Sequence, residues 1–254
     1  MTAQTMSLER VGRAYLAEAK YESLRMLRAP AFAGPFLLIP VALYAFFGAI
    51  QSPASLAENP RLLTYLFTGF SVFGVMGPAL FGFGMSVALE RELGLLRLKR
   101  ALPMPPMAYL TAKMLMAMLF SALTSLTITI AAIMLSPLPI GLDRYAGIAA
   151  INVMGTLPFC AIGLFIGARV SGRTAPAIVN VVYLPLIYLS GLFIPLPASI
   201  RFIALFSPAF HLNQLALSMA GVGSILSTAM HAAVLVGVTV LFAGLTARRI
   251  SRTS

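Results

Sequence analysis

The sequence predicts an all-α, polytopic membrane protein with six transmembrane helices, on three observations. Of its 254 residues 59% are hydrophobic and only 10% are charged, against roughly 25% charge in a soluble domain. Runs free of Asp, Glu, Lys and Arg cover 29–57, 62–89, 114–142, 145–168, 174–200 and 202–247, each longer than the ~20 apolar residues that a helix needs to cross a bilayer core. Fifteen of the 18 Lys and Arg fall on one side if both termini are cytoplasmic, leaving only Arg61, Arg144 and Arg201 opposite. That is the asymmetry by which positive residues orient membrane proteins. Helices are expected rather than barrel strands, because these runs are continuously apolar and lack the alternation of a barrel.

Residues 1–30 read as a cytoplasmic amphipathic helix lying on the membrane surface. Leu8, Val11, Tyr15, Ala19 and Met26 share one face at helical spacing, and Glu22 interrupts it. Glu9, Glu18 and Glu22 among five basic residues leave no short apolar core for a cleavable signal.

The transmembrane domain is placed at 31–247. Span one, Ala31 to Ile50, begins among Pro30, Pro35 and Pro40, which are expected to kink its start. Span two, Leu62 to Leu89, is longer than a vertical crossing and is expected to tilt or break near Gly77 and Pro78. Gly74, Pro78, Gly82 and Ser86 recur along it, a stripe for close helix approach. Span three runs from Met114 to Leu135 with a row of Ser and Thr. Span four, Tyr145 to Ala168, ends in Gly163 and Gly167 at small-xxx-small spacing. Span five runs from Ala175 to Ile194. Residues 195–215 stay greasy but carry Pro195, Pro197 and Pro208, which predicts a re-entrant outer segment between spans five and six. The last span is Ala229 to Ala247, with 248–254 as a cytoplasmic tail.

Several functions are disfavoured by what the residues lack. The net charge of +11 follows from membrane orientation, so no nucleic acid is expected as a partner. Cys160 is the only cysteine, so no disulfide or cysteine metal site forms within the chain, and no metal is expected. No GxxxxGK[ST] phosphate cradle is present, because Lys20, Lys99 and Lys113 follow Ala19, Leu98 and Ala112. If ATP drives the protein, ATP and Mg must sit on another polypeptide, and this chain itself binds no cofactor.

The stretch "ERELGLLRLKRALPMPPMAYLTAKM", residues 90–114, gathers seven of the chain's charges between two apolar spans. Its length, beyond what a join between two spans needs, calls for a role outside the membrane over 90–113. An acidic start at Glu90 and Glu92 leads into a short helix ending at Pro103, with acid early and base late to suit the helix dipole. The bland alternative is a solvated connector.

With the second stretch, "SGLFIPLPASIRFIALFSPAFHLNQL", this segment resembles the type-2 ABC exporter permeases, the membrane subunits of ABC half-transporters. The likeness rests on the acidic-basic-acidic start, Gly94, the leucine-rich helix, Pro103 and Lys113. It also rests on the series Ser190, Gly191, Phe193, Pro195, Leu196, Pro197, Ser207 and Pro208. Leu95 and Arg97 stand where members often carry a threonine and an acid.

The resemblance implies a transport subunit without its own nucleotide site. Leu93 to Leu102 would form a coupling helix in a groove of a separate ABC ATPase. Leu93, Leu95, Leu96 and Leu98 would be its apolar anchors, and Arg91, Arg97, Lys99 and Arg100 its steering charges. It further implies a second permease copy, or a related permease, with small residues of span four or span one at the seam, and membrane lipid around both. The cargo class is amphiphilic or lipid-like (drug, lipid or glycan), moved outward across the cytoplasmic (inner) membrane of a bacterium. Two rival readings are a passive channel or ion-coupled carrier, and an intramembrane serine protease using Ser190 and His231.

Overall fold

The computed structural model describes residues 8–50, 60–101, 108–135, 138, 140–194, 196, 197, 199 and 201–252. All regular structure among them is helical. The order is α1 (Leu8–Leu27), α2 (Pro30–Ile50), α3 (Pro60–Glu92), α4 (Leu95–Ala101), α5 (Ala108–Leu135), α6 (Leu142–Met154), α7 (Leu157–Gly167), α8 (Ala175–Tyr188), α9 (Arg201–Ala204), α10 (Pro208–Met219) and α11 (Thr228–Arg252).

Among the described residues five segments are long and apolar enough to cross a membrane: α2, α3, α5, α6 with α7, and α11. The sixth expected span is shorter than its charge-free run. Helix α8 has 14 residues, about 21 Å at 1.5 Å per residue, and ends at Tyr188 rather than Ile194. Its stop has a local cause. Gly191 takes φ +64°, and the chain beyond it presses so close to α3 that a Cβ on Gly69 would lie 1.8 Å from the Leu192 carbonyl oxygen.

Helix α3 is the axis, and α2, α5, α7, α8 and α10 all pack on it. It runs 33 residues without interruption and keeps Pro78 inside, so of the two expectations, tilt or break, the break does not occur. Pro35 and Pro40 likewise stay within one helix. The fourth span is the one that breaks, at Gly155 and Thr156 between α6 and α7. Pro158 at the second position of α7 has no N–H to give the preceding turn.

The glycines of α7 face α3 at backbone distance. A Cβ on Gly163 would lie 2.8 Å from the Leu80 carbonyl oxygen, and one on Gly167 would lie 2.8 Å from that of Gly84. These small residues are used within the chain, which removes them from the expected seam with a second copy. The stripe on α3 is met instead by α2 and α5: Gly74 lies against Thr124 and Pro40, and Gly82 against Met116 and Phe32.

Candidate functional site

Helix α1 packs against α5 through the face expected from its spacing, with Met26 buried at one end. Glu22 lies on that face and is itself buried. A carboxylate is tolerated there only with partners, and the structure supplies them. Lys113, with no exposed surface, places Nζ 2.7 Å from Glu22 Oε1, 3.1 Å from Glu90 Oε1 and 2.9 Å from Ser86 Oγ. Arg25 reaches the same two oxygens at 2.8 and 2.6 Å. Tyr109 donates its hydroxyl to Glu90 Oε2 at 2.6 Å. Two carboxylates and two cations thus close a charge-balanced knot that joins α1, α3 and α5. Partial burial disfavours the Arg25 charge, but Glu22 and Glu90 more than offset it and hold its pKa above the ordinary arginine value.

The coupling segment hangs from this knot. Helix α3 continues through Glu92, and the chain turns at Gly94, whose φ of +73° is open to glycine and strained for other residues. Helix α4 then begins at Leu95, two residues later than expected, and Leu102 to Met107 lie outside the described residues. Leu93 and Leu98 are 63% and 64% exposed, while Leu95 sits at the margin of exposure. Leu96 does not serve as an outward anchor, because it packs against the main core.

The expected steering charges are also redistributed. Lys99 pairs with Glu18 of α1 and lies 4.7 Å over the Tyr109 ring. Arg91 donates to the carbonyl oxygens of Ala168 and Val170, and Glu92 accepts the Gly172 N–H at 2.7 Å. These two residues fasten the 168–174 turn. The side chains of Arg97 and Arg100 lie outside the description.

At the opposite end, the second motif builds a different joint. Ser190 and Ser207 hydrogen-bond to each other, and Tyr65 donates to the Gly191 carbonyl. Phe193 stacks against Phe70 with centroids 4.7 Å apart. Pro208 opens α10 after Ser207, Pro197 is exposed, and Pro195 lies outside the described residues. His211 of α10 meets His231 of α11, Nδ1 to Nδ1 at 2.7 Å, and its Nε2 lies 2.9 Å from the Leu205 carbonyl oxygen. Ser190 and His231 are therefore partnered elsewhere, and the nucleophile–base contact needed by the protease reading is not formed.

Sequence spacing marked the coupling segment but missed the knot. Its signal was present as Glu22 in the middle of an apolar face and Lys113 at the mouth of an apolar run.

A bundle of apolar helices around one long axis, with charge gathered at one end and a short helix hung from it, is the architecture of a multi-pass membrane protein. The chain belongs to the ABC-2 type transporter family, whose profile matches residues 13–220. It is also 26% identical over 196 residues to "Putative transport permease YvfS" of Bacillus subtilis (strain 168), covering 76% of this chain and 80% of that protein. Such permeases are membrane subunits generally without a catalytic site of their own, and membership implies an ABC ATPase as partner.

Proposed function

We propose that this chain is the permease of an ATP-driven exporter, working as a pair of copies with two ATPase subunits. The charged end would be cytoplasmic in a bacterial inner membrane. Helix α8 would supply the sixth crossing, and 195–215 would form the re-entrant outer segment. The observation that carries the reading is the knot. It ties the end of α3, from which the chain runs through Gly94 into α4, to α1 and α5 by buried ion pairs at Glu90 and Glu22, so a push on α4 would meet a braced helix end rather than a slack loop.

Closure of the ATPases on ATP would supply that push and shift the bundle between states by differential binding energy. Leu93 and Leu98, exposed on the coupling segment, are the apolar contacts offered to the ATPase. An apolar cavity of about 160 Å³ between α2, α3 and α8, lined by Phe36, Ile39, Phe73, Phe81 and Tyr183 among others, suits an amphiphilic or lipid-like cargo better than a hydrophilic one.

The test is Leu98→Asp. The substitution lies on an exposed side chain, so the permease should insert and purify normally. Co-purification of the ATPase and permease-stimulated ATP hydrolysis should both fall at least tenfold, since an unpaired charge would be buried at the contact. Wild-type values for both would return this segment to a solvated connector.

A further inference from the structure

We infer that a polar layer inside the bundle, formed by Asn152, Asn213, Ser125 and Ser121, is a binding site for ordered water between α5, α6 and α10. The site is separate from the apolar cavity between α2, α3 and α8 and does not depend on the exporter reading.

Three helical stripes change character together. Helix α6 packs on both α5 and α10, and its buried residues are Tyr145, Ile148 and Asn152. On α10 the matching stripe runs back from Ala220 through Ala216 to Asn213. On α5 it runs from Ala132 through Ile128 to Ser125 and Ser121, again at helical spacing. The first two members of each stripe share one apolar cluster with Phe67 and Phe70 of α3. The next member is polar on all three helices. Two contacts set the depth on α10: Gly147 lies against Met219 and Gly155 against Leu212, which brings Asn213 to about the level of Asn152.

Asn152 and Ser121 are wholly buried, and Asn213 and Ser125 are 1% and 2% exposed. Yet Asn152 Oδ1 and Nδ2, Asn213 Oδ1 and both serine hydroxyls have no hydrogen-bond partner among the described residues. Buried polar groups are almost always paired, and neither lipid nor apolar side chains can pair them. These unpaired atoms in one layer therefore point to a ligand that both donates and accepts.

The surroundings select which ligand. The layer offers amide and hydroxyl groups without a charge. Helices α5 and α10 carry no Asp or Glu, and the one acid of α6, Asp143, lies in its first turn, so a bare cation would meet no counter-charge. The basic residues of these helices are engaged elsewhere, Lys113 in the Glu22 knot and Arg144 on the Ala220 carbonyl, which leaves nothing to hold an anion. Water donates and accepts at once, and a buried water makes about three bonds to groups of this kind. It also suits the place. Asn152 is in the last turn of α6, just before the break at Gly155 and Thr156, and its carbonyl accepts the Thr156 hydroxyl at 2.8 Å. Bridging waters can change partners without stranding a polar atom, so the layer gives the broken fourth span a joint at which α6 can shift against α10.

The experiment is solid-state NMR of the full, isotopically labelled chain in phospholipid vesicles, following magnetisation from water into the protein. The two carboxamide signals are assigned by their loss in Asn152→Ser and Asn213→Ser. Transfer to both should run at least about threefold faster than to the backbone amides of Val75 and Phe120, which are as deeply buried in apolar clusters. Because the water is shared, Asn152→Leu should slow transfer to the Asn213 amide by a similar factor. Asn152→Ser, which keeps a hydroxyl in the layer and leaves room for another water, should preserve it. If Asn152→Leu does not fold, Ser125→Leu makes the same comparison from α5. Transfer as slow as in the apolar clusters would mean a dry layer and overturn the site. Fast transfer to Asn213 that Asn152→Leu leaves untouched would mean separate hydration and remove the shared layer. Fast transfer abolished by a sub-solubilising amount of a sugar-headed detergent would make the layer a seat for cargo hydroxyls rather than resident water, and would overturn the inference as well.

Discussion

At the charged end of the bundle, Lys113 and Arg25 converge on Glu22 and Glu90, whereas the opposite end is fastened by hydroxyls, imidazoles and a phenol, without a carboxylate among the partners. The two joints tolerate damage differently. A hydrogen bond between uncharged groups contributes about 1 kcal/mol net, and its loss strands one polar atom. A buried ion cluster contributes little beyond what its desolvation costs, yet removing one member strands a whole charge. The charged end is therefore the all-or-none joint, suited to passing a push without slack. The opposite end can loosen one pair at a time.

The largest effect should come from breaking that balance. Lys113→Met leaves Glu22 and Glu90 facing Arg25 alone, and the loss of a buried partner costs about 3–5 kcal/mol. Thermal unfolding of the detergent-solubilised chain should show it as a large drop in midpoint. Adding Glu22→Gln to Lys113→Met restores neutrality, with Glu90 still held by Arg25 and Tyr109 at 2.6 Å each, and should recover most of the loss. If the double variant is as unstable as the single one, lost packing rather than charge balance governs this end.

A smaller effect is expected opposite. His211→Leu removes one partner of the pair at 2.7 Å and one from the Leu205 carbonyl, stranding His231 Nδ1 in a buried site. The cost should be about 1–3 kcal/mol, with ATPase co-purification unchanged because the change lies at the far end. An effect as large as that of Lys113→Met would erase the distinction between the two joints.

The difference also explains what was legible in the sequence. Among the described residues five of the six expected spans recur as helices long enough to cross a bilayer, because charge-free runs report the bilayer directly, whereas the break was expected near Pro78 and falls instead between α6 and α7, at Gly155 and Thr156 ahead of Pro158. The stop of α8 was not legible, since Ser190 to Ile194 is as apolar as the helix before it. Only the backbone approach of Leu192 to Gly69 shows why the helix ends. The coupling segment stood out as a charge cluster, but the task of each charge did not. Lys99, Arg91 and Glu92 look alike as solvated charges in the sequence, and the fold sends one to α1 and two to the 168–174 turn. Glu22 interrupting an apolar face was the readable part of the knot. A charge placed there implies a buried counter-charge, although the identity of Lys113 as that partner, 91 residues away, depends on which helices meet.

Lys99 gives the smallest and sharpest test of that redistribution. Were it a rim charge facing the ATPase, Lys99→Ala would slow association, and more so at low salt. The structure turns it back onto Glu18 and the Tyr109 ring, with about a quarter of its side chain exposed, so its loss should release α1 rather than weaken docking. The ion pair is part-exposed and screened, and its loss should lower stability by no more than about 1 kcal/mol. Limited proteolysis should then cut near α1 several times faster than in the wild type, because less holds that helix to α4. The rate of ATPase association, measured at low and high salt, should stay within a factor of about two. A salt-dependent fall in that rate with α1 still protected would return Lys99 to the docking rim and leave α1 held by the Glu22 knot alone.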